Sequence, residues 1–337
     1  AAANRPAAAR EGLLHPYKTG LPRTGAARHG KNAFVMMAYD PPGAEPTNLW
    51  GGLAMASALQ SLSAYPLLLL TNTSHLGDAP LATGLHRLNV QLLPIAQVPL
   101  PRALLEEDHF MPCAEHVPPI CSHQYLKLQI WKLTQFDRLV WMDADSILTG
   151  SVDWLFGLQG TWAQQDDWDC GSIFGSAARV GGRLGRAIDA LDTWLFAGWD
   201  RSQQPQAETM CSGMMVIEPS ASTYEELVKF AGSLTSAPGG DQEVISRFFS
   251  EIKRQPVRLL NVTTAAFGQC IGKGLPKLPA FVHKSGPDNQ CFRLRADPAE
   301  CADHPLGGYW RDHFCRAAAV VGAGRDDVRR FCDQRQR

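Results

Sequence analysis

Residues 125–156 carry the clearest structural pattern of the chain, a helix followed by a buried strand and two carboxylates. Apolar residues recur at helical spacing over 126–136, with lysines at the margins of the apolar stripe, which predicts an amphipathic helix. The apolar run at 139–142 then predicts a central strand that is covered on both faces. Asp143 and Asp145 follow directly, so the end of this strand carries two carboxylates.

This carboxylate pair predicts a site for a divalent cation. Open α/β sheets bind ligands in the crevice at the carboxyl ends of their strands, and both side chains would point into that crevice. Hard oxygen ligands suit magnesium or manganese, and such a cation could neutralise the diphosphate of a nucleotide. A second Asp-x-Asp triplet, at 167–169, follows no predicted strand, so we interpret it as a solvated loop.

The residues before this stretch predict the start of a parallel sheet. A strand at 33–39, a helix at 48–65 and a strand at 67–70 form a β-α-β unit, which implies a right-handed crossover. A third strand is predicted within 90–98. Residues 1–30 are rich in Ala, Arg, Gly and Pro without hydrophobic periodicity, which predicts a flexible leader or stem.

Composition excludes several classes of function. The chain has 337 residues and is 45% hydrophobic, enough for a sizeable core in one large or two small domains. Its formal net charge of −1 gives no electrostatic footprint for nucleic acid, so no nucleic-acid partner is expected. Apolar runs such as 67–70 are too short to span a bilayer. The first residue is Ala1, which leaves open a signal or membrane anchor upstream.

The chain contains nine cysteines, and four of them lie in the last segment, residues 291–337. These four, which we expect to be mostly disulfide-bonded and to staple that segment to the rest of the protein, are Cys291, Cys301, Cys315 and Cys332. Zinc is the alternative, but no Cys-x-x-Cys pair is present. Asn72 and Asn261 begin glycosylation triplets. Cysteines and triplets together favour the lumen of the secretory pathway, with the Golgi as the expected compartment, over the cytoplasm.

Further motifs follow the carboxylates in a definite order. They are Asp-Trp-Leu-Phe at 153–156, Ser-Gly-Met-Met-Val at 212–216, Gly-Gly-Asp-Gln at 239–242 and Val-His at 282–283, with Gly286 beyond. Together with Lys127 and Met-Asp-Ala-Asp-Ser at 142–146, this order resembles that of the glycogenin-type family-8 glycosyltransferases. The resemblance covers roughly residues 31–286 and fails beyond.

The resemblance implies an α/β fold of the GT-A type, a nucleotide-diphospho-sugar domain with a Rossmann-like mixed sheet flanked by helices. That domain would span 31–290, followed by a Cys-rich C-terminal extension at 291–337. Within it, the chain between 156 and 211 is longer than compact members need. We expect an insertion at 161–206 to lie on the acceptor side of the site.

The resemblance also implies the residues of a donor site. The implied metal ligands are Asp143, Asp145 and His283, and the nitrogen ligand favours Mn²⁺, with Mg²⁺ as the alternative. The implied donor-binding residues are Ala38, Tyr39, Asp40, Lys127, Asp143, Ala144, Asp145, Cys211, Ser212, Gly240, Asp241, Gln242, His283, Lys284 and Gly286. Three of these, Lys127, Asp241 and Gln242, are the implied catalytic residues, of which Lys127 would add positive charge while the other two position the sugar.

The chain departs from the family pattern at three positions. Cys211 stands where the family has an asparagine that grips the transferred sugar, so the identity of that sugar is left open. Pro238 replaces an acidic residue. Asn289 stands in place of a lysine that neutralises the diphosphate, a role that Lys284 could take over.

The function implied is the retaining transfer of a hexose or related sugar from a UDP-sugar to a hydroxyl of an unknown glycan, lipid or protein acceptor. Gln242 is a poor nucleophile, so the resemblance implies that the acceptor attacks on the same face as the leaving group. Two alternatives stay open. One is a self-glycosylating primer, with Tyr224 and Tyr309 as acceptors to consider; the other is a catalytically silent sugar-nucleotide-binding protein.

Overall fold

The centre of the protein is a mixed β-sheet. The computed structural model describes residues 31–39, 46–71, 79–95, 98–101, 124–166, 170, 210–235, 237, 240–271, 278–283, 306–322 and 326–333. Within them, seven strands have the spatial order β3-β2-β1-β4-β7-β6-β8. Their bounds are β1 Asn32–Ala38, β2 Leu67–Thr71, β3 Val90–Pro94, β4 Arg138–Met142, β6 Trp162–Gln165, β7 Met210–Ile217 and β8 Arg258–Leu260.

The first half of this sheet is parallel, as the β-α-β pattern predicts. β1 pairs in parallel with both β2 and β4, and β2 pairs in parallel with β3. The connecting helices are α1, Thr47–Leu62, and α2, Ala79–Arg87. Every residue of β2 and residues 49–59 of α1 are buried, which is expected of elements covered on all sides. The predicted strand at 90–98 ends earlier, at Pro94.

The second half turns antiparallel and places a small second sheet beside the end of β4. β7 runs antiparallel to both β4 and β6, whereas β6 and β8 are parallel. A three-stranded sheet has the order β5-β10-β9, with β5 Ser146–Leu148, β9 Ala265–Phe267 and β10 Phe281–His283. Because β5 begins immediately after the two carboxylates, this sheet brings β10 to them.

Three further helices cover this half of the molecule. They are a 3-10 helix Gln124–Lys132, α3 Ala221–Ser233 and α4 Gly240–Arg247, which continues as a π-helical turn through Phe248–Ile252. Shorter 3-10 turns lie at Asp153–Gly157 and Gly268–Cys270. Ser220 caps α3, since its Oγ accepts a hydrogen bond from Thr223 N–H at 3.2 Å.

The predicted amphipathic helix over 126–136 is wrong in two respects. The element is a 3-10 helix that ends at Lys132, and its residues 125–131 are all buried. Lys127, expected at the margin of an apolar stripe, is only 4% exposed. The physical reason is that α3 and α4 pack against this helix, so it has no broad solvent face.

The predicted insertion at 161–206 begins too early. Residues 162–165 form β6, which lies between β7 and β8 in the main sheet. Beyond it, Cys170 forms a disulfide with Cys270, and residues 171–209 lie outside the described part of the chain. An insertion could therefore begin only after the strand.

The C-terminal segment packs on the sheet domain through an apolar interface. α5, Gly307–Val321, lies on α1 and α2, and α6, Asp326–Asp333, packs beside it. Trp310 stacks on Phe314 with ring centroids 5.3 Å apart, and Phe314 meets Trp50 of α1. Gly84 of α2 allows close approach, since a Cβ there would lie 2.3 Å from Val321 Cα. Seven residues of α5 and α6 belong to the buried apolar core that they share with α1 and α2, so apolar burial holds this segment against the domain.

The expected disulfides of this segment are confirmed in part. Cys315 pairs with Cys332, which joins α5 to α6 rather than joining the segment to the rest of the protein. Cys291 and Cys301 lie outside the described residues. Among the helices that the structure describes, none is long and apolar enough to cross a membrane.

We expect the docking of α5 to weaken in mild acid because of His313. Its ring is buried, Nδ1 lies 3.1 Å from Ser57 Oγ of α1, and burial lowers the pKa of His313 to about 4. The unfolded chain therefore binds this proton more readily than the folded one, so stability is complete above the ordinary pKa of 6.5 and falls as the pH drops toward 4. The loss between pH 7.5 and pH 5 should be about 2 kcal/mol.

Urea unfolding at several pH values measures this loss. His313→Gln should flatten the pH dependence between pH 7.5 and pH 5, whereas His86→Gln, on the exposed face of α2, should leave it unchanged. The same slope in His313→Gln and the parent would contradict the assignment.

Candidate active site

The structure brings the three predicted metal ligands together. Asp143 follows β4, Asp145 stands in the turn before β5, and antiparallel pairing sets His283 of β10 opposite Ser146 of β5. One ligand atom from each of the three residues lies within 4.8 Å of the others. His283 Nε2 is 3.2 Å from Asp145 Oδ1 and 3.8 Å from Asp143 Oδ2. This cluster is a candidate cation site.

The donor set suits a divalent cation. Two carboxylates and one imidazole match manganese, and three protein ligands leave positions for oxygens of a bound molecule. The side chains of Asp143 and Asp145 are 25% and 29% exposed, whereas that of His283 is 7% exposed. The carboxylates are therefore partly accessible to solvent, whereas the imidazole is buried.

Asp143 is fixed by three hydrogen bonds. Trp141 Nε1 donates to Asp143 Oδ1 at 2.8 Å, and Asp143 N–H donates to Gly213 O of β7 at 2.9 Å. Ser146 Oγ donates to the main-chain oxygen of Asp143. Burial raises the pKa of Asp143 above its ordinary value, although Lys127 and His283 oppose that effect. The turn between β4 and β5 is thus held from both sheets.

Lys127 lies at the centre of the polar cluster. Its Nζ is 2.9 Å from Asp241 Oδ2 and 3.1 Å from Asp143 Oδ1, and it donates to Ser212 Oγ at 2.9 Å. Burial alone would lower the pKa of Lys127, but Asp143 and Asp241 outweigh burial and raise that pKa. The ammonium therefore stays charged and joins four segments of the chain.

The cluster carries excess negative charge. Asp143, Asp145 and Asp241 surround one ammonium, so with a neutral imidazole the three carboxylates and one lysine give a formal charge of −2. Burial lowers the pKa of His283, but Asp145 and Cys211 outweigh it and hold that pKa well above its ordinary value. A divalent cation would balance the charge and compete with the proton for Nε2.

Gln242 is oriented by two hydrogen bonds at the start of α4. Its Oε1 accepts from Ser212 N–H and its Nε2 donates to Asp166 Oδ2, each at 3.2 Å. Gly240 precedes it with φ of +61°, and a Cβ there would lie 2.4 Å from Gln124 Oε1. A glycine is therefore needed for α4 to begin here. Sequence reasoning missed Asp166; its only signal is its position at the end of β6.

Of the remaining predicted donor residues, the structure describes Ala38, Tyr39 and Cys211, whereas three others cannot be placed. Ala38 has no exposed surface and packs in the core at the end of β1. Tyr39 O accepts a hydrogen bond from Asn48 Nδ2 at 2.7 Å, at the start of α1. Asp40, Lys284 and Gly286 lie outside the described residues. Cys211 is buried beside His283, with Sγ 3.5 Å from Nδ1.

Helix α1 packs against the backbone of the turn at residues 143–145, which we call the metal turn. A Cβ at Gly51 would lie 1.9 Å from the main-chain oxygen of Ala144, the residue between the two carboxylates. The helix therefore reaches the turn closely only because this position has no side chain. At the neighbouring Gly52, a Cβ would meet the end of the Leu69 side chain at 3.0 Å.

Comparison with known proteins finds relatives that match part of the chain. No family model matches the chain. Glycogenin-1 of Homo sapiens is 27% identical over 132 residues, which cover 39% of this chain and 27% of that protein. Galactinol synthase 4 of Arabidopsis thaliana is 24% identical over 142 residues, which cover 42% of each chain. The chain thus spans between a quarter and a half of the length of these relatives.

The fold is also that of a solved glycosyltransferase structure. The glycosyltransferase GlyE of Streptococcus pneumoniae aligns with a TM-score of 0.51 and 12% identity, over 87% of this chain and 63% of that chain. The predicted GT-A fold is therefore confirmed. The predicted resemblance to glycogenin-type family-8 proteins is confirmed as well, since the sequence relatives belong to that family.

The contact between α1 and the metal turn can be tested with two neighbouring glycines. Gly51→Ala forces a methyl group against Ala144 O and should cost about 1–3 kcal/mol of unfolding free energy. It should also weaken Mn²⁺ binding, because the carboxylates move with the turn. Gly52→Ala should cost less than Gly51→Ala and leave Mn²⁺ binding unchanged, since its methyl group meets only the end of the Leu69 side chain and alanine favours a helix by about 1 kcal/mol over glycine. Urea unfolding and Mn²⁺ titration provide the measurements; equal behaviour of the two variants would contradict the contact.

Proposed function

We propose that this chain is a metal-dependent, retaining glycosyltransferase that moves a hexose or related sugar from a UDP-sugar to an acceptor hydroxyl. The observation that carries the proposal is the convergence of Asp143, Asp145 and His283 within 4.8 Å, beside a buried Lys127. This cluster lies at the end of β4, where α/β sheets bind ligands. The glycosyltransferase class of the relatives supports the same reaction.

Asp143, Asp145 and His283 would hold the cation, for which manganese is proposed ahead of magnesium because one ligand is nitrogen. When bound, it would supply positive charge to the diphosphate, the group on which charge develops as the sugar departs. The formal charge of −2 in the cluster with a neutral imidazole supports a divalent rather than a monovalent ion.

The residues of the chain itself supply orientation and fixed charge. The Lys127 ammonium is held in place before any ligand arrives, so its field costs no rearrangement during the reaction. Asp241 and Gln242 start α4 beside it, and Gln242 is engaged at both its oxygen and its nitrogen. Such an amide is suited to position a sugar and not to attack it. The acceptor hydroxyl would therefore attack on the face that the nucleotide leaves.

The environments of Tyr224 and Tyr309 argue against the self-glycosylating alternative, in which one of them would be the sugar acceptor. Tyr224 is 7% exposed and lies under the Lys132 ammonium, 4.3 Å from the ring centroid. Tyr309 Oη donates to Leu148 O at 3.0 Å, and burial raises the pKa of Tyr309. Burial of Tyr224 and the internal hydrogen bond of Tyr309 argue against both as acceptors. The catalytically silent alternative is disfavoured because the carboxylates, imidazole and lysine are all in place.

We further propose the lumen of the secretory pathway, in particular the Golgi, as the compartment. The disulfides Cys170–Cys270 and Cys315–Cys332 support an oxidising environment over the cytoplasm. A membrane anchor upstream of Ala1 remains part of this proposal. The acceptor would be a hydroxyl of a glycan, lipid or protein.

The proposed reaction is tested by the release of UDP from a panel of UDP-sugars, with and without simple acceptors. Activity should vanish in chelator and return best with Mn²⁺. Asp145→Asn should lower the rate by at least about tenfold, because it removes a ligand charge. Asp167→Asn, in the second Asp-x-Asp triplet, should have little effect. Full activity in chelator, or equal damage from the two substitutions, would contradict the assignment.

The proposed compartment is tested by glycosylation at Asn261. This side chain is exposed, and its Oδ1 accepts from Thr263 N–H at 2.9 Å, so a glycan would meet no packed surface. Expression through the secretory pathway of cultured cells should add a glycan that glycosidase treatment removes and that Asn261→Gln prevents. The mass of the tryptic peptide gives the answer, and an unmodified Asn261 in secreted protein would contradict the proposal.

A further inference from the structure

The imidazole of His283 is held by contacts on one face and on its Nδ1 edge. Phe267 of β9 stacks on the imidazole, with centroids 5.2 Å apart and planes at 24°. Gly213 lies against the ring edge, since a Cβ there would be 2.3 Å from His283 Nδ1. The backbone of β7 therefore packs directly against the imidazole, which is possible only because residue 213 is glycine.

Cys211 adds a polar contact to the same edge of the ring, through its Sγ atom. Its Sγ lies 3.5 Å from His283 Nδ1, and it accepts a hydrogen bond from Gly213 N–H at 3.3 Å. Cys211 is 5% exposed and is the free cysteine of the described residues. It packs in a small cluster with Phe267 and the Cys170–Cys270 disulfide, so the sulfur has a fixed position.

The position of this sulfur matters for the chemistry of the imidazole. A neutral histidine binds a cation through an unprotonated nitrogen, so ligation by Nε2 requires the proton to be on Nδ1. Histidine ligands normally donate that second N–H to a carboxylate, a carbonyl or a water, which fixes the tautomer and the ring orientation. Here Cys211 Sγ lies within hydrogen-bond distance of Nδ1, while Nε2 faces Asp145.

We propose that Cys211 is a positioning residue that accepts the Nδ1–H of His283 and so holds the ring with Nε2 free to bind the divalent cation. This inference rests on the metal-dependent function proposed above and assigns Cys211 a different role from the one that its place in the motif implied. The resemblance pointed to the donor sugar at this position. In the structure, the sulfur is directed at the imidazole and is enclosed by the packed cluster.

Two substitutions separate the hydrogen bond from packing. Cys211→Val fills the space but removes the acceptor, whereas Cys211→Ser keeps an acceptor in a smaller side chain. Both are made in the full chain, and Mn²⁺ affinity is measured by electron paramagnetic resonance without donor or acceptor, so that turnover plays no part. Cys211→Val should weaken Mn²⁺ binding about tenfold or more, and Cys211→Ser should recover most of that loss.

A second measurement on the unmodified chain covers the case in which Cys211→Val does not fold. The imidazole ¹⁵N shifts of His283, assigned with His283→Gln and recorded with diamagnetic Mg²⁺, report which nitrogen carries the proton. A proton on Nδ1 supports the proposal, and a proton on Nε2 overturns it. Thermal unfolding in chelator verifies that each variant used for affinity is folded.

Two further results distinguish failure of this inference from failure of the proposed function. Unchanged Mn²⁺ affinity in Cys211→Val, with weaker UDP-sugar binding at saturating Mn²⁺, would assign Cys211 to the donor and overturn the positioning role alone. A parent chain that binds no Mn²⁺ would overturn both this inference and the metal-dependent function.

Discussion

The buried ammonium of Lys127 is the interaction on which the rest of the site depends. A charged lysine in the interior is costly unless it is paired, and here Asp143, Asp241 and Ser212 surround it. Removing one partner of such a buried pair typically costs about 3–5 kcal/mol, because the other charge is left uncompensated. The 3-10 helix, the end of β4, the strand β7 and the start of α4 must therefore meet at one point.

The metal cluster is built outward from that point by two sheets and one helix. β4 delivers Asp143, the β5–β10 pairing delivers His283, and Gly51 of α1 supports the turn between the carboxylates. The C-terminal helices then cover α1 with an apolar interface, so the extension is part of the same core as the site's scaffold. A segment that matches no family motif thereby contributes to holding the metal turn in place.

Local patterns predicted β1, β2, β3, β4 and the carboxylate pair, because apolar runs and a polar strand end are visible in adjacent residues. They failed where the outcome depends on distant parts of the chain. Periodicity placed Lys127 at a helix margin, but the packing of α3 and α4 decides that it is buried. Likewise, β6 was included in an insertion because its pairing with β7 joins residues far apart in sequence.

The site residues that local patterns did not reveal also depend on contacts between distant parts of the chain. His283 was identified only through the motif order, since three residues of strand carry no sign of the β5 that pairs with them. Asp166 was missed because its partner, Gln242, is distant in sequence and comes close only through β6 and α4. Cys211 is recognisable in the sequence only as a departure from a motif, whereas its contact with the Nδ1 edge of His283 depends on the fold.

The central claim, that this cluster binds a metal-nucleotide complex, is tested most directly by a crystal structure with Mn²⁺ and UDP. Anomalous scattering locates the manganese without reference to any assumed site. We expect one strong peak between Asp143, Asp145 and His283, with diphosphate oxygens completing the coordination shell and Lys127 beneath it. Manganese bound elsewhere with this cluster vacant, or UDP bound away from the end of β4, would contradict the account.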